Sequence, residues 1–336
     1  MISSEEIAQQ VVPHTSFETT CSGLEAAILA ALPGSVIFLV GVSGAGKTWA
    51  RHTVARRLFG DPDTWPRGKI PYVEVMSLLA DRGYFSSKDL AISLHAQINA
   101  PRIDWLYKDP NRNSLPFRRF EHEVAEISKA WRKERQPKNE REAWREAIDC
   151  GRSRGIKVFA IEHASLMAQN RVNGSAVQHT LNLMSVATEM GASIILTTTP
   201  EGHALWSKYP EINTRAAHIY INPYRLEIAD ELKNFATLVK HLSYGREFEP
   251  KDLPLLVLSA MAEATQTTPG GIRNIFRRAG QLANAQGKST IDLRTLKSAF
   301  PPQRDVSNIL ESAQILRDQQ TPFDHPAFAR SEKAPT

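Results

Sequence analysis

Short runs of consecutive apolar residues alternate with longer amphipathic segments over the first 223 residues of the chain. Uninterrupted apolar runs are typical of strands that are buried on both faces of a parallel sheet. They predict strands at residues 36–40, 72–77, 158–161, 193–198 and 217–221. The segments between them predict helices at 22–31, 47–59, 88–98 and 175–190, with a serine at 86 or 87 capping the third. Alternating strands and helices predict an α/β fold with a parallel sheet and right-handed crossovers.

The pattern changes at two places along the chain. Residues 101–146 are crowded with charge and interrupted by prolines, which predicts an insertion of two helices with an exposed loop between them. From residue 224 the strand signal disappears, and the remaining segments read as helices up to residue 300. We therefore expect an N-terminal arm (1–20), an α/β domain (21–223), a small helical lid (224–300), and a C-terminal helix near 305–317 followed by a flexible tail within 301–336.

The composition says more about the expected cellular location of the protein than about its function. The chain has 336 residues, 42% hydrophobic content and a formal charge of +5, a mild bias towards an anionic partner such as ATP or nucleic acid. No apolar run approaches the ~20 residues that span a bilayer, so we expect no membrane association. The polar start MISSEEIAQQ does not resemble a signal peptide. Cys21 and Cys150 form no disulfide framework or zinc spacing, so buried free thiols and a cytoplasmic location are expected.

The strongest chemical signal follows the first predicted strand. The segment GVSGAGKT matches G-x-x-x-x-G-K-[ST], the phosphate-binding loop or P-loop, and it lies between a strand and a helix as that function requires. Its glycines allow successive backbone N–H groups to face phosphates, and the helix N-terminus points to the same place. We expect Lys47 to reach the β- and γ-phosphates of ATP and the Thr48 hydroxyl to ligate Mg²⁺. The expected nucleotide-binding residues here are Gly41, Val42, Ser43, Gly44, Ala45, Gly46, Lys47, Thr48 and the adjacent Trp49.

A P-loop site also needs an acidic group at the end of another strand to hold the metal. Only KVFAIEHA among the candidate strands ends in a carboxylate. An ungapped comparison with the usual Asp-Glu pair puts Glu162 at the metal-binding position and His163 at the position of the carboxylate that activates water. This predicts tight ATP binding with slow hydrolysis. In the alternative interpretation, His163 packs or caps the following turn without a catalytic role.

Three further features bear on nucleotide sensing. Thr197, Thr198 and Thr199 end the next strand, and we expect Thr198 to lie near the γ-phosphate. Arg215 precedes the last strand, where it could reach the nucleotide of a neighbouring subunit as an arginine finger, or simply be a surface residue. Arg273 follows the glycines of TPGGIR and could swing onto the phosphates from the lid, or simply begin a helix.

With these segments in order, the chain resembles AAA+ ATPases, and within them it is most similar to transposition regulators of the TnsC, TniB and MuB type. The resemblance spans residues 13–300. It is carried by GVSGAGKT, KVFAIEHASLM, SIILTTTPEGHAL, and TPGGIRNIFRRA followed by IDLRTLKSA. It implies an ATP- and Mg²⁺-dependent protein that forms a ring or helical homo-oligomer on double-stranded DNA. It further implies that the oligomer recruits or stimulates a transposase at target sites, in answer to a separate target-selection protein.

The candidate DNA-contacting residues are basic residues that follow the second predicted strand. Loops after the second strand supply the candidates Arg82, Lys88, Arg118 and Arg119, since a central channel would contact phosphates. The insertion also carries many acidic residues, and a solvated helical face is the competing interpretation. Other functional hypotheses are an AAA+ signalling or defence ATPase, a helicase-loader-like ATPase, and, less favoured, a P-loop kinase acting on a small molecule.

Overall fold

The computed structural model describes residues 15–79, 83–106, 139–169, 175–207 and 209–320. Its central feature is a five-stranded sheet in the order β2-β3-β4-β1-β5, in which every neighbouring pair is parallel. The strands are β1 (Val36–Gly41), β2 (Tyr72–Met76), β3 (Val158–Glu162), β4 (Ser193–Thr198) and β5 (Ala216–Ile221). β1 and β4 are buried along their whole length, as their uninterrupted apolar character predicts.

Helices flank this sheet and connect its strands. They are α1 (Thr15–Ala30), α2 (Lys47–Phe59), α3 (Ser87–Asn99), α4 (Glu140–Arg154), α5 (Ala176–Met190) and the short α6 (Pro210–Arg215). Local signals in the sequence define several of their ends. The Ser86 side chain accepts a hydrogen bond from the Asp89 N–H at the start of α3. Ser175 and Gln178 form a reciprocal capping box at the start of α5.

Helices dominate the chain after β5. They are α7 (Ala229–Ser243), α8 (Leu253–Leu256), α9 (Leu258–Thr265), α10 (Pro269–Ala285), α11 (Leu293–Ala299) and α12 (Gln303–Asp318). Two short parallel strands, β6 (Phe248–Glu249) and β7 (Ile291–Asp292), join this region internally. Apart from Ala313 and Leu316 of α12, its buried apolar residues form a cluster separate from the one around the sheet. The predicted fold class is confirmed: an α/β P-loop fold with a parallel sheet flanked by helices and followed by a helical region.

The structure differs from the sequence-based expectations at three places. α1 begins at Thr15, earlier than the predicted start at residue 22, because Phe17 and Thr20 are buried and extend the packed face of the helix. The small pairing of β6 with β7 was not anticipated within the helical region. Most of the charged insertion lies outside the described residues. Its last part belongs to α4, which continues to Arg154.

α12 was expected only as a C-terminal helix, and it returns to the α/β part of the molecule. Ala313 and Leu316 belong to the hydrophobic core around the sheet. Just beyond the helix, Gln319 donates a hydrogen bond from Nε2 to the carbonyl oxygen of Pro200 at 2.7 Å. α12 therefore connects the helical region to the segment that follows β4.

Two remaining expectations concern the cysteines and the membrane. Cys21 is buried and Cys150 half-buried, and both are free thiols. Within the described ranges, no helix combines the length and the apolar character that a bilayer span requires.

Candidate nucleotide-binding site

The P-loop has the geometry that its sequence predicts. It follows β1, and α2 begins directly after Gly46. Gly46 has φ = 96°, a left-handed conformation that glycine adopts without steric cost, so the chain can turn sharply into the helix. The N-terminus of α2 therefore lies at the carboxyl edge of the parallel sheet, where ligands of open α/β folds bind.

A cavity of about 350 Å³ opens over this loop. Its walls come from the P-loop and the start of α2, from the ends of β3 and β4, and from the start of α10. The lining residues are Ser43, Gly44, Gly46, Lys47, Thr48, Trp49, Glu162, His163, Ser165, Thr197, Thr198, Thr199, Pro269, Gly270 and Arg273. Of the remaining predicted P-loop residues, Gly41 ends β1, while Val42 and Ala45 are buried beneath the loop. The structure thus brings together side chains that are far apart in the sequence.

Lys47 is the cation at the centre of the site. Its Nζ donates hydrogen bonds to the carbonyl oxygens of Gly41 at 2.7 Å and Val42 at 2.9 Å. Burial lowers the pKa of Lys47 to about 8, although the charges of Glu162 and Glu201 oppose the shift. An ammonium group that is short of carboxylate contacts is suited to binding an anion, and the β- and γ-phosphates of ATP supply one.

Glu162, at the end of β3, and Thr48, at the start of α2, line the same cavity. Carboxylate and hydroxyl oxygens are hard ligands of the type that Mg²⁺ binds in P-loop proteins. No group of three or more His, Cys, Asp or Glu side chains in the described ranges forms a metal cluster of its own. The donor set therefore suits an ion that takes its other ligands from phosphate and water, as nucleotide-bound Mg²⁺ does.

His163 follows Glu162 at the cavity wall and has a left-handed backbone conformation, with φ = 55°. This conformation is uncommon for a residue with a side chain. The His163 carbonyl oxygen accepts the Leu166 N–H at 3.0 Å, which begins the 3₁₀ turn Ala164–Gln169. The residue therefore turns the chain as well as facing the cavity, so both interpretations of His163 retain support.

The three threonines at the end of β4 all line the cavity and differ in their hydrogen bonds. Thr198, the predicted sensor, lines the cavity, but its hydroxyl donates to the carbonyl oxygen of Thr199 at 3.0 Å. Thr197 Oγ1 is buried and has no hydrogen-bond partner among the described residues. A buried hydroxyl without a partner is unfavourable unless a ligand or a water molecule supplies the missing hydrogen bond. Thr197 is thus the better placed of the two to contact a phosphate or its water.

Arg273 reaches the cavity from the helical region. It is the fifth residue of α10, whose N-cap Thr268 accepts a hydrogen bond from the Gly271 N–H. Burial lowers the pKa of Arg273, and no ion pair of its guanidinium occurs in the described part of the chain. A half-buried arginine without a carboxylate partner fits a site for an anionic ligand.

The other predicted residues lie away from the cavity or outside the description. Arg215 is exposed at the last residue of α6, next to the edge strand β5. Lys88 is half-buried in the first turn of α3. Arg82, Arg118 and Arg119 lie outside the described residues, so the proposed DNA contacts at these positions stay predictions.

Sequence reasoning did not identify a buried polar cluster behind Glu162. Arg51, on α2, is only 1% exposed and contacts both Glu162 and Glu74. Burial opposes ionisation of Glu74, but a hydrogen bond from His52 and the charge of Arg51 lower its pKa to about 2. The sequence did contain one signal for this cluster. Arg51 lies one helical turn after Lys47, on the helix face that also carries the buried residues Ala50, Val54 and Ala55.

Comparison with solved structures gives distant likenesses. The Walker-type ATPase PABY2304 of Pyrococcus abyssi matches with a TM-score of 0.49 and 16% identity, covering 95% of this chain and 78% of that one. The ORC2 protein of Aeropyrum pernix in its ADP form gives 0.48 and 11%, covering 87% and 70%. The Thermotoga maritima RuvB Holliday junction branch migration motor gives 0.41 and 13%, covering 89% and 68%.

No protein-family model and no curated protein matches the sequence. With scores and identities this low, the structural likenesses carry no argument about function. The fold assignment rests on the order of the parallel strands and on the P-loop between β1 and α2.

Proposed function

We propose that this protein is an AAA+ ATPase that binds duplex DNA and regulates DNA transposition. In this proposal it assembles on DNA in an ATP-dependent way and recruits or stimulates a transposase at target sites. The observation that carries the nucleotide part is the convergence of Lys47, Glu162 and Arg273 on one cavity, although they come from three separate segments of the chain. Such a site couples the sheet to the helical region through the bound nucleotide.

The charged and hydroxyl side chains of the cavity are suited to holding ATP and Mg²⁺. Lys47 would exchange its carbonyl contacts for the β- and γ-phosphates, and the Thr48 hydroxyl and Glu162 would hold the metal directly or through water. Arg273 contributes a second positive charge from the lid. In this proposal His163 takes the place of the water-activating carboxylate, and the site therefore favours ATP binding over hydrolysis. Bound Mg²⁺ supplies neutralisation of the phosphate charge.

A contact between the helical region and the P-loop favours a nucleotide-driven conformational switch over a small-molecule kinase. Gly270, at the start of α10, donates its N–H to the carbonyl oxygen of Gly44 at 2.9 Å. Because of this hydrogen bond, a movement of the P-loop on nucleotide binding would also move the start of α10. A switch of this kind suits a protein whose assembly depends on ATP.

The DNA and transposition parts of the proposal are supported by the resemblance carried by SIILTTTPEGHAL and by TPGGIRNIFRRA followed by IDLRTLKSA. A formal charge of +5 also suits a phosphate-rich partner. A homo-oligomer, a transposase and a target-selection protein are the partners that this function requires.

Fluorescence anisotropy of a labelled duplex, measured with ATP, ADP or no nucleotide at several salt concentrations, tests the proposal. We expect ATP-dependent binding with little sequence preference. Each phosphate contacted adds a slope of about 0.9 in log affinity against log salt, so affinity should fall by orders of magnitude between roughly 50 and 200 mM. Charge reversal at Arg118 and Arg119, or at Arg82 and Lys88, should reduce that slope if these residues contact DNA.

Lys47→Ala is the control for nucleotide dependence. It removes the charge that binds the β- and γ-phosphates and should abolish both ATP binding and ATP-dependent DNA binding. Lys69→Ala, which removes an exposed lysine bonded to the Ser153 carbonyl, should leave both unchanged. If the wild-type protein binds ATP but no duplex at low salt, the transposition proposal is wrong and a signalling ATPase or a kinase becomes the better hypothesis.

A further inference from the structure

A buried ion-pair cluster lies directly behind the proposed metal-binding carboxylate. The Arg51 guanidinium is 1% exposed and donates from Nη2 to Glu162 Oε1. From Nη1 it donates to Glu74 Oε2 at 2.5 Å and to the hydroxyl of Tyr72. A single arginine thus links α2, which begins at the P-loop, to β2 and to the last residue of the neighbouring strand β3.

Glu74 is itself held by two further side chains, His52 and Trp105. Its Oε2 is 3.1 Å from His52 Nε2, and its Oε1 accepts from Trp105 Nε1 at 3.2 Å. The His52 and Trp105 rings stack with centroids 3.6 Å apart and an interplanar angle of 4°. Packing on two sides leaves Glu74 little freedom, so Arg51 is fixed at one end by a rigid partner.

The arrangement leaves one oxygen of Glu162 free for the cavity. Oε1 accepts from Arg51, while Oε2 makes no hydrogen bond within the described ranges, and the Glu162 side chain is 14% exposed on the cavity wall. With Arg51 positive and Glu74 and Glu162 negative, the cluster carries a formal charge of −1. That charge can be kept while the hydrogen bonds are removed, which makes the cluster testable.

We propose that Arg51 is a positioning residue that fixes the Glu162 carboxylate so that Oε2 faces the metal of bound ATP. The proposal deepens the nucleotide site and rests on the proposed ATP-binding function. Partners that orient a metal ligand commonly change metal affinity by about 10- to 100-fold when they are removed. A purely structural ion pair would instead change the stability of the fold without changing how strongly Mg²⁺ is bound.

The decisive variant is the double substitution Arg51→Met with Glu74→Gln. It removes one positive and one negative charge, so the cluster keeps its formal charge of −1 and neither a buried arginine nor the Glu74 carboxylate is left unpaired. Glu162 keeps its charge and loses its contact with Arg51, which is the change under test. Isothermal titration with a non-hydrolysable ATP analogue, in EDTA and at increasing Mg²⁺, separates nucleotide binding from metal binding. We expect nearly unchanged affinity in EDTA and a Mg²⁺ requirement raised by about 10- to 100-fold.

Arg57→Met is the matched control on the same helix. Arg57 forms an exposed pair with Glu18 at 2.9 Å, far from the cavity, so its removal should leave the Mg²⁺ requirement unchanged. An unaltered Mg²⁺ requirement in the double variant, or a lowered one, would overturn the positioning role while leaving the ATP site intact. Failure of the wild-type protein to bind the analogue would overturn the proposed function, and this inference with it.

If the double variant does not fold, it will show no thermal unfolding transition. In that case the single variant Glu74→Gln tests the proposal. This change keeps the side-chain shape and loosens Arg51 at one end. We expect a several-fold higher Mg²⁺ requirement, in line with a weakened outer-shell contact. The same requirement as in the wild-type protein would overturn the proposal.

Discussion

At the scale of single residues, Lys47 is a buried lysine whose charged form a bound phosphate would stabilise. Because burial lowers its pKa to about 8, Lys47 is charged at pH 7 and largely neutral at pH 9 in the free protein. Bound phosphates favour the charged form and raise this pKa, so binding at pH 9 must take up a proton. We expect ATP affinity to fall by about tenfold between pH 7 and pH 9, as linkage to one group with this pKa requires.

Calorimetry in two buffers of different ionisation enthalpy measures this proton uptake directly. Near pH 9 it should approach one proton per ATP, and near pH 7 it should be small. Lys47→Arg is the control, because an arginine stays charged over this range and its affinity should not vary with pH in the same way. Equal proton uptake at both pH values would contradict the role of Lys47 as the titrating group.

His163 sets the expected rate of hydrolysis. We expect turnover below about one per second in the wild-type protein, because ordinary enzymes with a well-placed base are faster. His163→Glu should raise the rate of phosphate release, since general-base catalysis commonly contributes about 10²- to 10⁴-fold. His163→Gln, which supplies no base, should not raise it. A lower rate in the glutamate variant would show that His163 does not occupy the position of the catalytic carboxylate.

At the scale of elements, the contact between α10 and the P-loop depends on the absence of a side chain at residue 270. A Cβ at Gly270 would lie 2.7 Å from the Gly44 Cα and 3.0 Å from the Gly44 carbonyl oxygen, and neither backbone atom can rotate away. Gly270→Ala should therefore displace the start of α10, together with Arg273. Overpacking of this kind costs about 1–3 kcal/mol of folding stability. The part of this strain that moves Arg273 and the P-loop out of the binding geometry lowers ATP affinity, and we expect a decrease of up to ~150-fold.

The same helix offers a matched control for this prediction. A Cβ at Gly280 meets no heavy atom within 4 Å, and alanine is the better helix former, so Gly280→Ala should preserve ATP affinity and slightly stabilise the fold. Titration calorimetry and thermal unfolding of the two variants give the comparison. Equal ATP affinities would mean that the contact between α10 and the P-loop plays no part in nucleotide binding.

At the scale of the whole molecule, the sheet presents β5 as one of its two edge strands. Arg215 is exposed immediately before that strand, so a neighbouring subunit that packs against this side could receive its guanidinium. If Arg215 acts in trans, Arg215→Ala should leave ATP binding by the monomer near normal and weaken ATP-dependent oligomers. Sedimentation velocity with and without ATP measures this, and Arg67→Ala, an exposed arginine in another loop, serves as control. Identical profiles for the wild-type protein and Arg215→Ala would exclude an arginine finger at this position.

Local patterns in the sequence determined most of the secondary structure and the central part of the site. The strand at 193–198 and the helix at 47–59 occur with the bounds that their apolar and polar patterns predict. The P-loop could be recognised because its chemistry is contained in eight consecutive residues, and Glu162 because it ends a buried strand. These features depend on neighbours in the sequence, and for this reason they could be read from the sequence.

Contacts between distant segments were decided only by the tertiary structure. The Arg51–Glu162 pair joins residues 111 positions apart, and no local pattern specifies which carboxylate a buried arginine will meet. The sequence also did not show that the Thr198 hydroxyl finds a backbone acceptor and the Thr197 hydroxyl does not. The return of α12 to the sheet depended on the packing of Ala313 and Leu316. Burial and hydrogen-bond satisfaction are properties of the assembled chain, so sequence periodicity constrains them only where partners are close in the sequence.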